Sequence, residues 1–311
     1  MSKPTGDMTK PLVLTVATTG SVQGKKPQVH EQEGLGPSKW DVHLPAAPHV
    51  AEQPDEIVEE ARKSRDVGAS ILHIHARDAE GVPTTDIAVY EDIVSGVRET
   101  TDLLTQVGTG IRFDIPLEDR LSVIRMNPTP EMFTINTGTF HFMWHTFKNP
   151  PWLVEKFVDE ILSVGAAIEF EIYDLSHLYA VLKLMEAGRI PEPVHFSFVM
   201  GIPGGMPARP NVLMTMLEHM PDTGSWQVIG TGSKHLPMTA MGICMGGNAR
   251  AGAEDTVYYS YKKLPESSAQ LIDRLRGVSA SVNRPVASPD EARDLLALPD
   301  FRKGPLQGAQ R

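Results

Sequence analysis

The chain has one cysteine, Cys244, in 311 residues. No internal disulfide can form and no thiolate metal cluster can be built from one chain, so a reducing cytoplasm is the expected home. Positive charge is also in short supply: 29 Lys and Arg stand against 39 Asp and Glu, a net charge of −10. That balance argues against nucleic acid or an anionic membrane surface as the main partner. No apolar run approaches the ~20 residues of a membrane span. Residues 1–10 are polar and lack the apolar core of an export signal, so the expectation is a protein neither inserted nor exported. Aromatic residues make up only 6%, but 41% hydrophobic residues with four Trp suffice for a large core. Nucleotide-binding signatures are missing as well. Residues 201–205 follow an apolar run but lack the G-x-G-x-x-G spacing that brings a helix N-terminus to a pyrophosphate, and there is no Walker sequence. A doubly wound sheet thereby loses its main support.

What is present is a rhythm. Short apolar runs rich in β-formers occur at 12–17, 70–76, 103–108, 132–137, 167–173, 194–200, 226–231 and, least strand-like, 248–253. After the first gap they start about thirty residues apart, the spacing of βα units in a (β/α)8 TIM barrel. The fold expected is therefore α/β, a single TIM-barrel domain over 1–311. The barrel proper spans about 11–285, with mobile tails at both ends and additional C-terminal helices. The long first gap, rich in Gly, Pro, Lys, Gln and His over 20–48, reads as an extended β1–α1 loop of the kind that shapes a site. Amphipathic stripes and their capping residues place helices at 54–67, 86–98, 152–164, 265–282 and 289–298.

The chemistry sits at the ends of the runs. His73 and His75 close the second one, and side chains two apart on a strand point the same way. Two imidazoles at a strand's carboxyl end can share a metal ion if a third ligand arrives, and Glu254 is available. Zinc is the first expectation, although the same ligands suit manganese, cobalt or nickel. Glu169 and Glu171 share a face of the fifth run, as Thr134 and Asn136 do of the fourth, and an inward carboxylate needs a cation or a hydrogen-bonding partner. If the eighth strand continues through residue 254, Arg250 and Glu254 point together into the barrel mouth and Asp255 is left at the rim. Gly108-Thr109-Gly110 and Gly230-Thr231-Gly232 each follow a strand, where glycines either admit a ligand close to the backbone or merely make tight turns.

With these residues in hand the sequence resembles the β-keto acid cleavage enzymes, typified by 3-keto-5-aminohexanoate cleavage enzyme, over nearly the whole chain. Six landmarks stand in the right order: 14–20 (LTVATTG), 73–78 (HIHARD), 134–139 (TINTGT), 169–173 (EFEIY), 201–206 (GIPGGM) and 250–255 (RAGAED). The resemblance implies a divalent ion held by His73, His75 and Glu254, with positions left open for substrate. It implies acyl exchange between a β-keto acid and acetyl-CoA, giving acetoacetate and a new acyl-CoA by a retro-Claisen route. By similarity Asp255 is the base, partnered by Arg250 and Glu171, while Gly108, Thr109, Gly110, Thr134 and Asn136 fall at substrate-pocket positions. It also suggests a homo-oligomer, commonly a tetramer.

Two departures bear on the substrate. The aminohexanoate enzyme carries a glutamate after the first strand that could hold an ammonium group, where this chain has Val22; the family's serine after the third strand aligns with Gly108. Val22 and Ile111 favour an apolar or uncharged tail, whereas Lys25, Lys26 or Arg112 would suit an anionic one, and His30, Lys39 and His43 make the loop hard to align. Two rivals remain at this level: another metal-dependent TIM-barrel lyase or hydrolase, amidohydrolase- or aldolase-like, for which His195 sits poorly near the barrel's bottom, and a non-catalytic barrel that binds a small acid. His141, Trp144 and His145 read as packing or subunit contact ahead of a grip on CoA or substrate, and Met206, Met214 and Met216 as core or interface filler.

Overall fold

Eight parallel strands close on themselves in the computed structural model, which describes residues 6–30, 42–112, 115–143 and 145–303. The strands are β1 Leu14–Ala17, β2 Ile71–Ile74, β3 Leu104–Gly108, β4 Met132–Asn136, β5 Ala167–Ile172, β6 His195–Met200, β7 Ser225–Gly230 and β8 Asn248–Ala251. Each of the eight apolar runs contributes one. Closure comes from β1, which pairs with β8 through Thr15↔Arg250 and with β2 through Ala17↔His73. Arg250 and His73 are thereby set on either side of the same short strand.

The helices are α1 Pro54–Asp66, α2 Ile87–Thr100, α3 Pro151–Ser163, α4 Leu175–Glu186, α5 Pro210–His219, α6 His235–Cys244, α7 Ser268–Ser281 and α8 Pro289–Leu295. Between β3 and β4 a 3-10 helix, Asp119–Arg125, stands where the barrel pattern calls for an α-helix. Helix starts follow local chemistry. Asp86 accepts from the Ala88 amide ahead of α2, and Ser288 with Glu291 forms a capping box on α8. The two largest shifts from the expected boundaries, three residues each, fall at the start of α7 and the end of α8. Ser267 caps α7, so residues 265–267 lie outside it, and the positive φ of Ala297 lies just beyond the end of α8.

Outward-facing strand side chains such as Leu14, Leu72, Phe133 and Phe170 meet the helices in one continuous apolar layer. At the N-terminal end, Val13, Ile71, Leu104 and Met132 pack on Ala292, Leu296 and Leu298, so α8 and the turn after it plug the barrel floor. The upper interior is polar instead, and that is where the site lies.

The β1–α1 loop carries a hairpin, Gln28–His30 with Val42–Leu44, and the β4–α3 loop another, Phe140–Phe142 with His145–Phe147. Lys39 and Trp144, and the tail residues 1–5 and 304–311, lie outside the described residues, as does the side chain of His30. The described end of the tail, Phe301–Lys303, is a 3-10 turn in which Arg302 pairs with Asp290 and Asp300. Met206 and Met216 are core residues, while Met214 is exposed. No helix among the described residues is long and apolar enough to cross a membrane.

Candidate active site

His73 and His75 rise from the carboxyl end of β2 and meet Glu254 across the barrel mouth. His73 Nε2 lies 3.6 Å from Glu254 Oε2, and His75 Nε2 lies 3.8 Å from Glu254 Oε1. These ligand atoms all fall within 4.8 Å of one another, a spacing that a single ion can bridge. The local chemistry fits such an ion. His73 Nδ1 lies 2.8 Å from Gln106 Oε1 on β3; donating there fixes the tautomer and leaves Nε2 as a lone pair. That Nε2 and Glu254 Oε2 are both buried without a hydrogen-bond partner. Burial first, then the Arg250 charge, holds both imidazoles neutral, His73 well below its usual range and His75 at about 3.

Beside this group, three carboxylates surround one guanidinium. Arg250 Nη2 donates to Asp255 Oδ1 at 2.8 Å and to Glu254 Oε1 at 2.6 Å, its Nε reaches Asp255 Oδ2 at 3.1 Å, and its Nη1 lies 3.6 Å from Glu171 Oε1. Glu171 also accepts from Asn136 Nδ2 at 2.8 Å and the Tyr173 hydroxyl at 3.0 Å. Three carboxyl groups against one guanidinium leave the cluster short of positive charge. Burial pushes the Glu254 carboxyl up to about 8 against the pull of Arg250, with the Asp255 and Glu171 charges adding to the rise. Burial also raises Glu171. A divalent cation between His73, His75 and Glu254 would supply the missing charge.

The backbone reaches this geometry differently from the alternation argument. The strand β8 ends at Ala251 rather than running through 254, and the chain turns at Gly252, where a Cβ would sit 1.9 Å from the Ala17 carbonyl oxygen. The Glu254 amide then bonds Ala17 O. As a result Asp255 is buried at 3% exposure against Arg250 rather than left at the rim, and it is Glu254 that keeps 17% of its side chain open. Gly20 follows the same logic: a Cβ there would lie 2.5 Å from Glu254 Cγ.

A cavity of about 1080 Å³ opens over these groups, and His75, Arg250, Glu254, Asp255, Glu171, Thr134, Asn136 and Gly110 all line it. Gly108 and Thr109 do not. A Cβ at Gly108 would lie 2.4 Å from His75 Cε1, so the third strand gives up a side chain to make room for the imidazole. The Thr109 hydroxyl donates to the Thr134 carbonyl at 2.7 Å. Glu169 also has a structural occupation: Gln227 Nε2 donates to both its oxygens at 2.9 Å. His195 lies at the opposite end of the strand layer, 2.7 Å from Ser225 Oγ, and cannot join the histidine pair. Lys25 is bound to Glu56, and neither it nor Lys26 lines the cavity, whereas Val22, His43, Ile111 and Arg112 do.

Sequence reasoning gave Arg77 no role. It donates to the carbonyls of Gly20 and Gln23 and thereby pins the β1–α1 loop over the site, and its place in the HIHARD run was the available signal. The tyrosine partner of Glu171, Tyr173, was likewise visible two residues along the same apolar run.

A polar barrel mouth with a two-histidine, one-carboxylate group beside an arginine-bound carboxylate pair defines a TIM-barrel enzyme site. The comparisons give the family: residues 42–298 match that of the beta-keto acid cleavage enzyme, and the chain belongs to it. It is 33% identical over 258 residues to the 3-keto-5-aminohexanoate cleavage enzyme of Acetoanaerobium sticklandii, covering 82% of this chain and 93% of that one. It is 30% identical over 299 residues to the 3-oxoadipate:acetyl-CoA acetyltransferase of Cupriavidus necator, covering 94% and 97%. Among solved structures the apo structure of ObcA superposes with a TM-score of 0.69 at 15% identity, over 83% of this chain and 68% of that one, a likeness of fold.

Proposed function

We propose that this protein exchanges acyl groups between a β-keto acid and acetyl-CoA, giving acetoacetate and the CoA thioester of the remaining fragment, and that it needs a divalent metal, zinc first, to do so. The observation that carries the reading is the juxtaposition of His73, His75 and Glu254 with the Arg250–Asp255 pair in one cavity. His73, His75 and Glu254 would hold the ion, which supplies Lewis-acid stabilisation of enolate charge on a bound keto acid.

The chain's own groups account for the rest. Asp255 is held by two Arg250 donors, which orient its carboxylate as the base that removes a C2 proton. Glu171, fixed by Asn136 and Tyr173, holds the outer side of Arg250 and keeps that guanidinium from swinging away. Thr134, Asn136 and Gly110 offer polar contacts to the keto acid at the cavity wall. The C2 carbanion forms a bond to the acetyl carbonyl carbon and CoA thiolate leaves. That thiolate then attacks the original 3-keto carbon, the C2–C3 bond breaks, and the electron pair returns to C2, which takes back the proton.

The test is acetoacetate formation from acetyl-CoA and β-keto acids, measured before and after chelator treatment and after adding back zinc. Turnover that falls on chelation and returns with metal supports the reading; turnover indifferent to a chelator that has removed all bound metal refutes its metal requirement.

A further inference from the structure

The proposed reaction brings two molecules into the cavity, and the walls differ in chemistry. On the side of the β4 and β6 loops the surface is aromatic and aliphatic. The rings of Phe140 and Tyr173 stack at 4.0 Å and 25°, with Phe147 at 5.6 Å and Phe142 at 6.1 Å from Phe140, and Val199, Ile202 and Ile229 complete the cluster. The β1 and β3 loops extend it. Ser21 Oγ bonds the Gly110 carbonyl at 3.2 Å, which joins the loops bearing Val22 and Ile111, and a Cβ at Gly110 would lie 3.6 Å from Phe147 Cζ. Because the Tyr173 hydroxyl binds Glu171, this apolar surface begins one residue from the Arg250 group.

The charged groups are spoken for or lie elsewhere. The acidic side chains lining the cavity, among the described residues, are Glu171, Glu254 and Asp255, and each is engaged with Arg250. None remains to neutralise an ammonium tail. Of the lining cations, Arg274 donates to the Tyr259 carbonyl, Arg112 is engaged within the chain, and Lys234 and Lys262 belong to the β7 and β8 loops. A charged tail laid on the Phe140 cluster would lose its hydration without a partner, whereas an apolar tail gains by burial there.

We infer that the β-keto acid used by this protein carries an apolar alkyl or aryl tail, seated against Phe140, Phe142, Phe147, Val22 and Ile111. The inference rests on the cleavage activity proposed above. It is tested with metal-replete protein, acetyl-CoA and 3-oxo acids of matched length ending in methyl, phenyl, ammonium or carboxylate groups. The alkyl series is expected to gain about fourfold in kcat/KM per added methylene until the cavity fills. Alkyl and phenyl tails should exceed the ammonium and carboxylate tails by about tenfold or more. Val22→Glu should lower the apolar preference and raise relative turnover of the ammonium tail. If that variant does not fold, Phe142→Ser, at a half-buried position, should reduce the gain per methylene. A wild-type preference for ammonium or carboxylate tails, or rates flat with alkyl length, would overturn the tail assignment and leave the cleavage reading intact. No acetoacetate from any tail would overturn both.

Discussion

Replacing Gly108 by alanine puts one methyl group where the structure has no room for it. The added Cβ would lie 2.4 Å from His75 Cε1 and 2.6 Å from its Nε2, against about 3.5 Å for an ordinary carbon contact. Strand β3 is hydrogen-bonded on both sides, to β2 and β4, so the imbalance falls on the imidazole, which must move about 1 Å. His75 Nε2 is the atom that faces Glu254, and a displacement of that size takes it away from the position it shares with His73. Loss of one well-placed ligand atom should weaken zinc binding by about 10- to 100-fold. Turnover at saturating metal should fall about 100-fold, the usual penalty of a misplacement near 1 Å. Zinc competition titration and kinetics at several metal concentrations read both effects, and thermal melting of the metal-free protein checks that the barrel survives. Unchanged zinc affinity in a folded Gly108→Ala protein would refute the reasoning, because it would mean that His75 does not hold the metal from the position seen here.

Three further outcomes follow from the site and the barrel floor. Gln106→Leu removes the acceptor that fixes the His73 tautomer, so zinc affinity should drop about 10- to 100-fold with no change at the Arg250 group; equal affinity would show that the Gln106 contact is idle. Asp255→Asn should keep its metal yet lose about 100- to 10,000-fold in exchange of the substrate's C2 protons, and wild-type exchange rates would assign the base elsewhere. His195 is buried and held at about 4, below the ~6.5 of an unfolded chain. Its unfolded form therefore binds the proton more readily, so the stabilisation is complete above pH 6.5 and is lost as pH falls toward 4, about 3 kcal/mol in all. Denaturant unfolding of wild type and His195→Gln at pH 7 and pH 4.5 measures it; identical pH dependence in the two proteins would contradict the assignment.

Much of the site was legible because strand alternation is local. His73 with His75, Glu169 with Glu171, and Thr134 with Asn136 follow from a period of two, whatever the rest of the chain does. Glu254 and Asp255 could be named but not placed. Their positions depend on a turn at Gly252 that is set by the approach of the Ala17 carbonyl, a contact 235 residues away in sequence. Thr109 could likewise be named but not placed: its hydroxyl satisfies the Thr134 carbonyl on the neighbouring strand, which no spacing reveals. Helices α4, α5 and α6 were not marked by periodicity. α6 carries His235, Pro237, Gly242 and few charges, and packs on β7, β8 and α7, so it has no polar face to define a stripe. Gly242 is needed there because a Cβ would lie 2.9 Å from Val228 Cγ2, a helix-to-strand approach decided by packing.

The most direct test of the account is the fate of the acetyl group. With zinc-replete protein, an alkyl-tailed β-keto acid and acetyl-CoA labelled at its carbonyl carbon, acyl exchange predicts label at the 3-keto carbon of acetoacetate and an unlabelled acyl-CoA carrying the substrate's tail. Acetoacetate without label, or cleavage of the keto acid that proceeds equally well without acetyl-CoA, would contradict it.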